Sequence, residues 1–122
     1  MTQERKVALV TGASRGIGAA IAQQLILDGY FVVGTATSEA GAEKLSASFA
    51  ENGAGAVLDV RDATAIDALV TDIEQKYGPV LALVNNAGIT KDNLLLRMSE
   101  DDWDDILNIH LKAVYRLSKR VL

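Results

Sequence analysis

A glycine-rich segment near the N-terminus reads Thr11-Gly12-Ala13-Ser14-Arg15-Gly16-Ile17-Gly18. Before it stands Val7–Val10, a short apolar run that is typical of a strand buried on both faces. After it, isoleucine and leucine recur four residues apart, which predicts a helix over about residues 16–28. The stretch therefore predicts a tight turn that joins a strand to a helix.

The three glycines of this turn indicate an anion site. A helix N-terminus carries unpaired N–H groups and a partial positive charge, and so attracts a diphosphate. Gly12 permits a sharp exit from the strand, while Gly16 and Gly18 allow backbone, ligand and sheet to approach closely. No Gly-Lys-Ser/Thr follows, which disfavours a triphosphate P-loop. We expect a dinucleotide site here; the alternative is a turn that merely tolerates glycine.

Short apolar runs continue to alternate with helical patterns along the chain. Further strands are predicted at residues 31–33, 57–60 and 81–84, with helices after Ser38, after Asp62 and after Ser99. This order predicts a doubly wound, Rossmann-like α/β fold, in which a parallel sheet lies between two helical layers. The expected strand order is 3-2-1-4, with a binding crevice between strands 1 and 4.

The last predicted helix begins with acids and ends with bases, an order that matches the helix dipole. One side is expected to carry Trp103, Leu107, Val114, Leu117 and Val121, widened by Ile106, Ile109 and Ala113. A surface this broad favours packing on the sheet and on another subunit. Because no strand follows, we expect residues 1–122 to form the N-terminal part of a single dinucleotide-binding domain.

Composition excludes several classes of function. The 122 residues suffice for one domain, and they contain no cysteine and a single histidine, His110, which rules out a His/Cys zinc site; we expect no metal. A net charge of −4 argues against a broad basic face for nucleic acid. No apolar run approaches the roughly 20 residues that cross a bilayer, and no signal peptide is visible. We therefore expect a cytoplasmic protein that binds neither membrane nor nucleic acid.

The end of the second strand favours NADP(H) over NAD(H). It reads Gly34-Thr35-Ala36-Thr37-Ser38, without the carboxylate that usually accepts hydrogen bonds from an NAD ribose. Thr37 and Ser38 can donate to a 2′-phosphate, and Arg15 can bind it as a bidentate cation. The alternatives are that Arg15 is a solvated loop residue and that Ser38 is a simple helix N-cap.

Two more strand ends offer ligand contacts. Asp59 can accept from the adenine amino group while Val60 covers a face of the ring, although an Asp at this place is often only a turn former. Asn85-Asn86-Ala87-Gly88 lies across the crevice from the glycine turn, where small residues leave room for a ribose and amides can bind ligand or backbone.

Together these segments resemble the short-chain dehydrogenase/reductase family. Residues 34–39 and 85–98 are similar, more narrowly, to the 3-oxoacyl-acyl carrier protein reductases of bacterial fatty-acid synthesis. The resemblance implies a homotetramer that reduces a 3-oxoacyl thioester on acyl carrier protein to the (3R)-hydroxyacyl thioester with NADPH. It implies that the cofactor contacts are Gly12, Ser14, Arg15, Ile17, Thr37, Asp59, Val60 and Asn86. Near alternatives are reduction of acetoacetyl-coenzyme A or of another small carbonyl, and a non-catalytic nucleotide-binding fragment.

The family's catalytic Ser, Tyr and Lys have no counterparts here. By resemblance, they lie on a strand and a helix beyond residue 122, so we expect this chain alone to be inactive. Tyr115 and Lys119 match the Tyr-x-x-x-Lys spacing, but no serine-bearing strand precedes their helix. His110 stands in the place of the family's Asn, where it either holds the relay water or simply packs on the helix face.

Overall fold

The computed structural model describes residues 5–88 and 97–122. Helices and strands alternate through most of this length. The strands are β1 (Val7–Val10), β2 (Phe31–Ala36), β3 (Gly53–Val57) and β4 (Val80–Val84). The helices are α1 (Gly16–Leu27), α2 (Glu39–Phe49), α3 (Ala63–Lys76), α4 (Glu100–Leu107) and α5 (Ala113–Val121).

The four strands form one parallel sheet in the order β3-β2-β1-β4, which confirms the predicted order. Val10, the last residue of β1, lies opposite Gly34 of β2 and Val84, the last residue of β4. The carboxyl ends of these strands therefore meet at one edge. Since the chain reverses its direction of strand addition at β1, a crevice opens there.

Side chains of β1 alternate between two apolar layers. Val7 and Leu9 pack with α3 and α5, whereas Ala8 and Val10 pack with α1 and α2. All four are 0% exposed, as expected of a central strand covered by helices on both faces. The predicted three-layer, doubly wound architecture is confirmed.

The third strand lies earlier than the sequence pattern predicts. Residues 57–60 were expected to form it, but β3 spans Gly53–Val57. A methyl group added at Gly55 would collide with the carbonyl of Ala42 and the side chain of Leu45 in α2. Because the helix lies so close, this strand consists mainly of glycine and alanine, and its apolar signal is weak.

The last helix begins as predicted but presents a different face. Its two α-helical parts are joined without a break by a π-helical turn at Asn108–Lys112. The predicted stripe is wrong in part, since Trp103 is 54% exposed and Val114 is 39% exposed. The buried positions are Ile109, Ala113 and Leu117. A π-helical turn holds more residues than an α-helical one, so it rotates the faces on either side relative to each other.

In the part of the chain that the structure describes, no helix is long and apolar enough to span a bilayer. The similarity of residues 85–98 to the reductases falls partly on residues 89–96, which lie outside the described ranges.

Candidate functional site

The turn between β1 and α1 needs its glycines for two different reasons. Gly12 and Gly16 both have φ of +63°, in the left-handed region that favours glycine. Space beside Gly16 is open, because an added methyl would meet nothing within 4 Å. At Gly18, by contrast, a methyl would strike the carbonyl of Gly12 and the side-chain amide of Asn86. Gly18 therefore permits α1 to approach the end of β4.

Helix α1 begins differently from the helices that follow. Side-chain oxygens of Ser38, Asp62 and Ser99 accept backbone N–H bonds at 3.0–3.1 Å and so cap α2, α3 and α4. Arg15 is the N-cap residue of α1, and among the described residues no side chain caps this helix. Its first turn also contains no acid. The first amides of α1 therefore remain available to an anion.

Thr35 ties the glycine turn to β2. Its hydroxyl oxygen accepts from the Gly12 amide at 3.2 Å, and its carbonyl accepts from the Ala13 amide at 2.9 Å. The Ala13 methyl is fully buried, close to Gly34. The amides of Gly12 and Ala13 thus hold the turn in place, and the predicted cofactor contact at Ala13 stays a prediction.

Thr11 and Asn86 tie the same turn to the end of β4. The Thr11 hydroxyl accepts from the backbone amides of Asn86 and Ala87, both at 3.0 Å, and donates to the Val84 carbonyl at 3.4 Å. In return, Asn86 Nδ2 donates to the Gly12 carbonyl at 2.9 Å. These bonds fix the width of the crevice between β1 and β4.

A cavity of about 370 Å³ opens at this edge of the sheet. It brings together residues that the sequence predicted from three separate segments, among them the guanidinium-bearing Arg15 and the hydroxyl-bearing Thr37. Ser38 is not among the residues that line this cavity, and its hydroxyl caps α2, in agreement with the alternative that it is a simple helix N-cap. Ile17, on the first turn of α1, is 74% exposed. The cavity is lined by Gly12, Ser14, Arg15, Thr35, Ala36, Thr37, Leu58, Asn86, Ala87 and Gly88.

A second cavity of about 330 Å³ adjoins the first, with which it shares Thr37, Leu58, Ala87 and Gly88. Asp59 and Val60 line it, as do Arg61 and Asp105. Val60 is only 5% exposed and belongs to the core beneath, whereas the Asp59 side chain is half exposed. The predicted adenine residues therefore lie beside the predicted phosphate residues.

Asp59 is held as a carboxylate by Arg61. Arg61 Nε donates to Asp59 Oδ1 at 3.0 Å and Arg61 Nη2 donates to Oδ2 at 2.9 Å, while the Arg61 backbone amide also donates to Oδ1 at 3.0 Å. The side-chain hydrogen bond from Arg61 lowers the pKa of Asp59 below its usual value. Near neutral pH, Asp59 is therefore ionised.

His110 lies in the π-helical turn with its imidazole ring against Gly88. A methyl group added at Gly88 would lie 2.6 Å from His110 Cε1. Gly88 is thus small because the ring covers it, and the ring is placed at the end of β4. Asn108 is engaged elsewhere, since its side-chain oxygen accepts from Arg116 Nη1 at 3.3 Å.

Tyr115 and Lys119 lie in another place. Lys119 Nζ donates to Tyr115 Oη at 3.4 Å, and both side chains line a groove of about 390 Å³ between α3 and α5. None of the residues that line this groove belongs to the glycine turn.

A cavity of about 450 Å³ lies at the amino ends of the strands, where Arg5 stacks on Phe31. Within the described residues, no group of three or more His, Cys, Asp or Glu side chains could hold a metal ion.

Sequence reasoning missed three residues that shape the site: Thr11, Thr35 and Arg61. Thr11 and Thr35 are each 1% exposed, and they are polar residues beside or within apolar strands. That contrast is a signal that could have identified them. For Arg61, no local pattern distinguishes it from other loop arginines.

Residues 6–122 match the short chain dehydrogenase family, and the chain belongs to that family. Several curated relatives carry the name 3-oxoacyl-acyl-carrier-protein reductase FabG, those of Vibrio harveyi and Escherichia coli K12 among them. The chain is 54% identical to that of Vibrio harveyi and 52% identical to that of Escherichia coli K12, in both cases over 100% of this chain and 50% of the relative. A solved short-chain dehydrogenase from Streptomyces avermitilis is similar with a TM-score of 0.88 and 36% identity, covering 99% of this chain and 44% of that one. The chain spans about half the length of the curated relatives it matches.

Proposed function

We propose that the complete protein is an NADPH-dependent 3-oxoacyl-acyl carrier protein reductase of fatty-acid synthesis, and that this chain is the N-terminal part of its dinucleotide-binding domain. Membership of the short chain dehydrogenase family implies a nicotinamide cofactor and an oxidoreductase. Identity of 52–54% to reductases of this name supports the substrate class. The observation that carries the proposal is the uncapped start of α1 beside open space at Gly16, at the point where strand order reverses.

The diphosphate accepts hydrogen bonds from the first turn of α1. The amides of Gly12 and Ala13 are engaged by Thr35, so the donors are those of Gly16, Ile17 and Gly18. These N–H groups have no partner four residues earlier within the helix. The residues present therefore fit a dinucleotide, with the charge of the diphosphate opposite the positive end of the helix dipole.

Arg15 and Thr37 select the phosphorylated cofactor. Both line the cavity at the glycine turn, and none of the described residues that line it carries a carboxylate to repel a 2′-phosphate. A guanidinium forms two parallel hydrogen bonds with a phosphate, and the threonine hydroxyl adds a third donor. Asp59 then accepts from the adenine amino group in the adjoining cavity.

The nicotinamide ribose lies along Asn86, Ala87 and Gly88. When bound, NADPH supplies the hydride for the carbonyl carbon of the substrate. His110 covers Gly88 at this end of the crevice, in the place of the family's Asn. A neutral imidazole both donates and accepts, so His110 holds the water through which the proton is replaced.

The remaining chemistry belongs to residues outside this chain. By resemblance, a Ser polarises the substrate carbonyl, a Tyr donates the proton to its oxygen, and a Lys lowers the pKa of that Tyr. Residues 1–122 alone therefore bind the cofactor without reducing a substrate. Tyr115 and Lys119 do not replace the missing pair, because they face the groove between α3 and α5.

The complete protein forms a homotetramer in the cytoplasm through the helix at residues 100–121. Trp103, Leu111 and Tyr115 are large, more than half exposed and carried on that helix, which favours a second subunit as their partner. Sedimentation of the complete protein with Leu111→Glu should show smaller assemblies than the unaltered protein or Lys112→Glu. Monomers of the unaltered protein would count against the proposal.

The direct test measures NADPH oxidation by the complete protein with acetoacetyl-acyl carrier protein as substrate. We expect turnover with NADPH, much slower turnover with NADH, and none from residues 1–122 alone. Acetoacetyl-coenzyme A serves as the comparison substrate. Faster turnover of this thioester would mean that coenzyme A, and not acyl carrier protein, is the carrier of the substrate. Absence of NADPH oxidation with either thioester would contradict the proposed activity.

A further inference from the structure

Asp59 and Arg61 form a pair whose hydrogen bonds leave one acceptor position unused. A carboxylate has about four lone-pair sites, two on each oxygen. Asp59 Oδ1 accepts from both the backbone amide and Nε of Arg61, and Oδ2 accepts from Nη2. Among the described residues no further donor reaches Oδ2, which leaves one site on this oxygen, and Asp59 lines the cavity beside the glycine turn.

Arg61 is itself held from the last helix. Arg116 Nη1 donates to the Arg61 carbonyl at 2.9 Å, and Arg61 Nη1 lies 3.5 Å from Asp105 Oδ1. The two contacts join the loop after β3 to α5 and to α4, respectively. These contacts hold the loop after β3 in place relative to the sheet edge, although its side chains are exposed to water.

We propose that Arg61 is a positioning residue that orients the Asp59 carboxylate so that its free acceptor site selects the adenine base by the exocyclic amino group. The inference rests on the proposed function, since it requires that the adenine enters this cavity. Without the Arg61 guanidinium, the half-exposed Asp59 carboxylate keeps only the bond from the backbone amide to Oδ1, so Oδ2 can turn about that contact and accept from water.

A lysine cannot replace this arginine. The planar guanidinium presents Nε and Nη2 in parallel, which matches the two carboxylate oxygens and fixes the plane of the group. A lysine ammonium keeps the charge but binds as a point donor, so the carboxylate can turn about it. Arg61→Lys therefore separates orientation from charge.

The test titrates the complete protein with NADPH and with its purine counterpart, in which hydrogen replaces the exocyclic amino group of adenine. The unaltered protein should bind NADPH about ten-fold more tightly, since the analogue lacks the N–H group that donates to the Asp59 carboxylate. In Arg61→Ala the ratio should fall towards one, and Arg61→Lys should recover only part of it. Arg120→Ala is the matched control, because it removes a guanidinium paired with Asp67 and Glu74 on α3.

Each outcome bears on a different statement. Equal binding of the two dinucleotides by the unaltered protein would refute the adenine contact of Asp59, and with it the basis of the inference. A ten-fold ratio that persists in Arg61→Ala would refute the positioning role alone. An equal loss of affinity for both dinucleotides would also refute it, because a stacking or charge contribution does not distinguish the bases.

A pH series adds a readout that a purely structural role would not change. Hydrogen bonding from Arg61 lowers the pKa of Asp59, so its loss raises that pKa. As the pH is lowered, both proteins should lose the preference for adenine. Arg61→Lys should lose it at a higher pH than the unaltered protein. Coincident profiles would contradict the inference, and this comparison remains available if Arg61→Ala fails to fold.

Discussion

Asn86 and Gly12 are joined across the crevice, because Asn86 Nδ2 donates to the Gly12 carbonyl at 2.9 Å. The bond joins two residues that are 74 apart in sequence and lie just beyond the ends of the neighbouring strands β1 and β4. It also places the side-chain amide directly over Gly18. The glycine turn is thus shaped by the loop after β4 as much as by its own sequence.

Replacement of Asn86 by alanine should weaken both the fold and the cofactor site. Loss of a partly buried hydrogen bond that leaves the Gly12 carbonyl without its partner costs about 1–3 kcal/mol. Urea denaturation measures this loss, and an NADPH titration measures the affinity. The neighbouring, exposed Asn85→Ala is the control and should change neither; equal effects of both substitutions would contradict the account.

Gly18→Ala should be more harmful than Gly16→Ala, for a reason of space. At Gly16 the alanine side chain has room, so the cost is the left-handed backbone, about 1–2 kcal/mol. At Gly18 the methyl would collide with the Gly12 carbonyl and with Asn86, and the helix must shift away. Thermal denaturation of both variants tests the order, which would be reversed if α1 did not lie against the end of β4.

The cofactor preference should depend on Arg15 and Thr37. Thr37→Asp places a carboxylate beside the expected 2′-phosphate, and Arg15→Ala removes its cation, so each should weaken NADPH binding about ten-fold or more. NADH affinity should change little. Arg5→Ala, a lost guanidinium at the opposite edge of the sheet, should leave the ratio intact. Calorimetric titration with both dinucleotides checks this, and unchanged selectivity in Thr37→Asp would mean that the 2′-phosphate lies elsewhere.

The Asp59–Arg61 pair should stabilise the fold only above acidic pH. Its hydrogen bond lowers the pKa of folded Asp59 below the value of about 3.9 expected in the unfolded chain. The stabilisation is therefore complete above that value and is lost as pH falls through the folded pKa. Because both side chains are about half exposed, the effect is small. Asp59→Asn should be less stable than the unaltered protein at pH 7 and approach it in acid; a difference that grows in acid would be the wrong sign.

Local signals in the sequence suffice for the framework. The glycines at 12, 16 and 18 between an apolar run and a helical pattern identify β1 and α1, and the caps at Ser38, Asp62 and Ser99 start three helices where they were expected. The strand order follows from the alternation and from the handedness of crossovers. These features depend on neighbours in sequence.

The features that were not predicted depend on neighbours in space. Gly55 is a strand residue because α2 lies against it, and the π-helical turn at Asn108–Lys112 rotates the two faces of the last helix relative to each other. The Arg61–Asp105 contact joins residues 44 apart. Such contacts appear only once the helices and strands have been packed together.

A crystal structure of the complete protein with NADPH would show whether the glycine turn binds the diphosphate. The expected result is that diphosphate oxygens lie within about 3.2 Å of the amide nitrogens of Gly16, Ile17 and Gly18, with the 2′-phosphate between Arg15 and Thr37. A diphosphate seated at the amino ends of the strands near Arg5, or beside Tyr115, would contradict it.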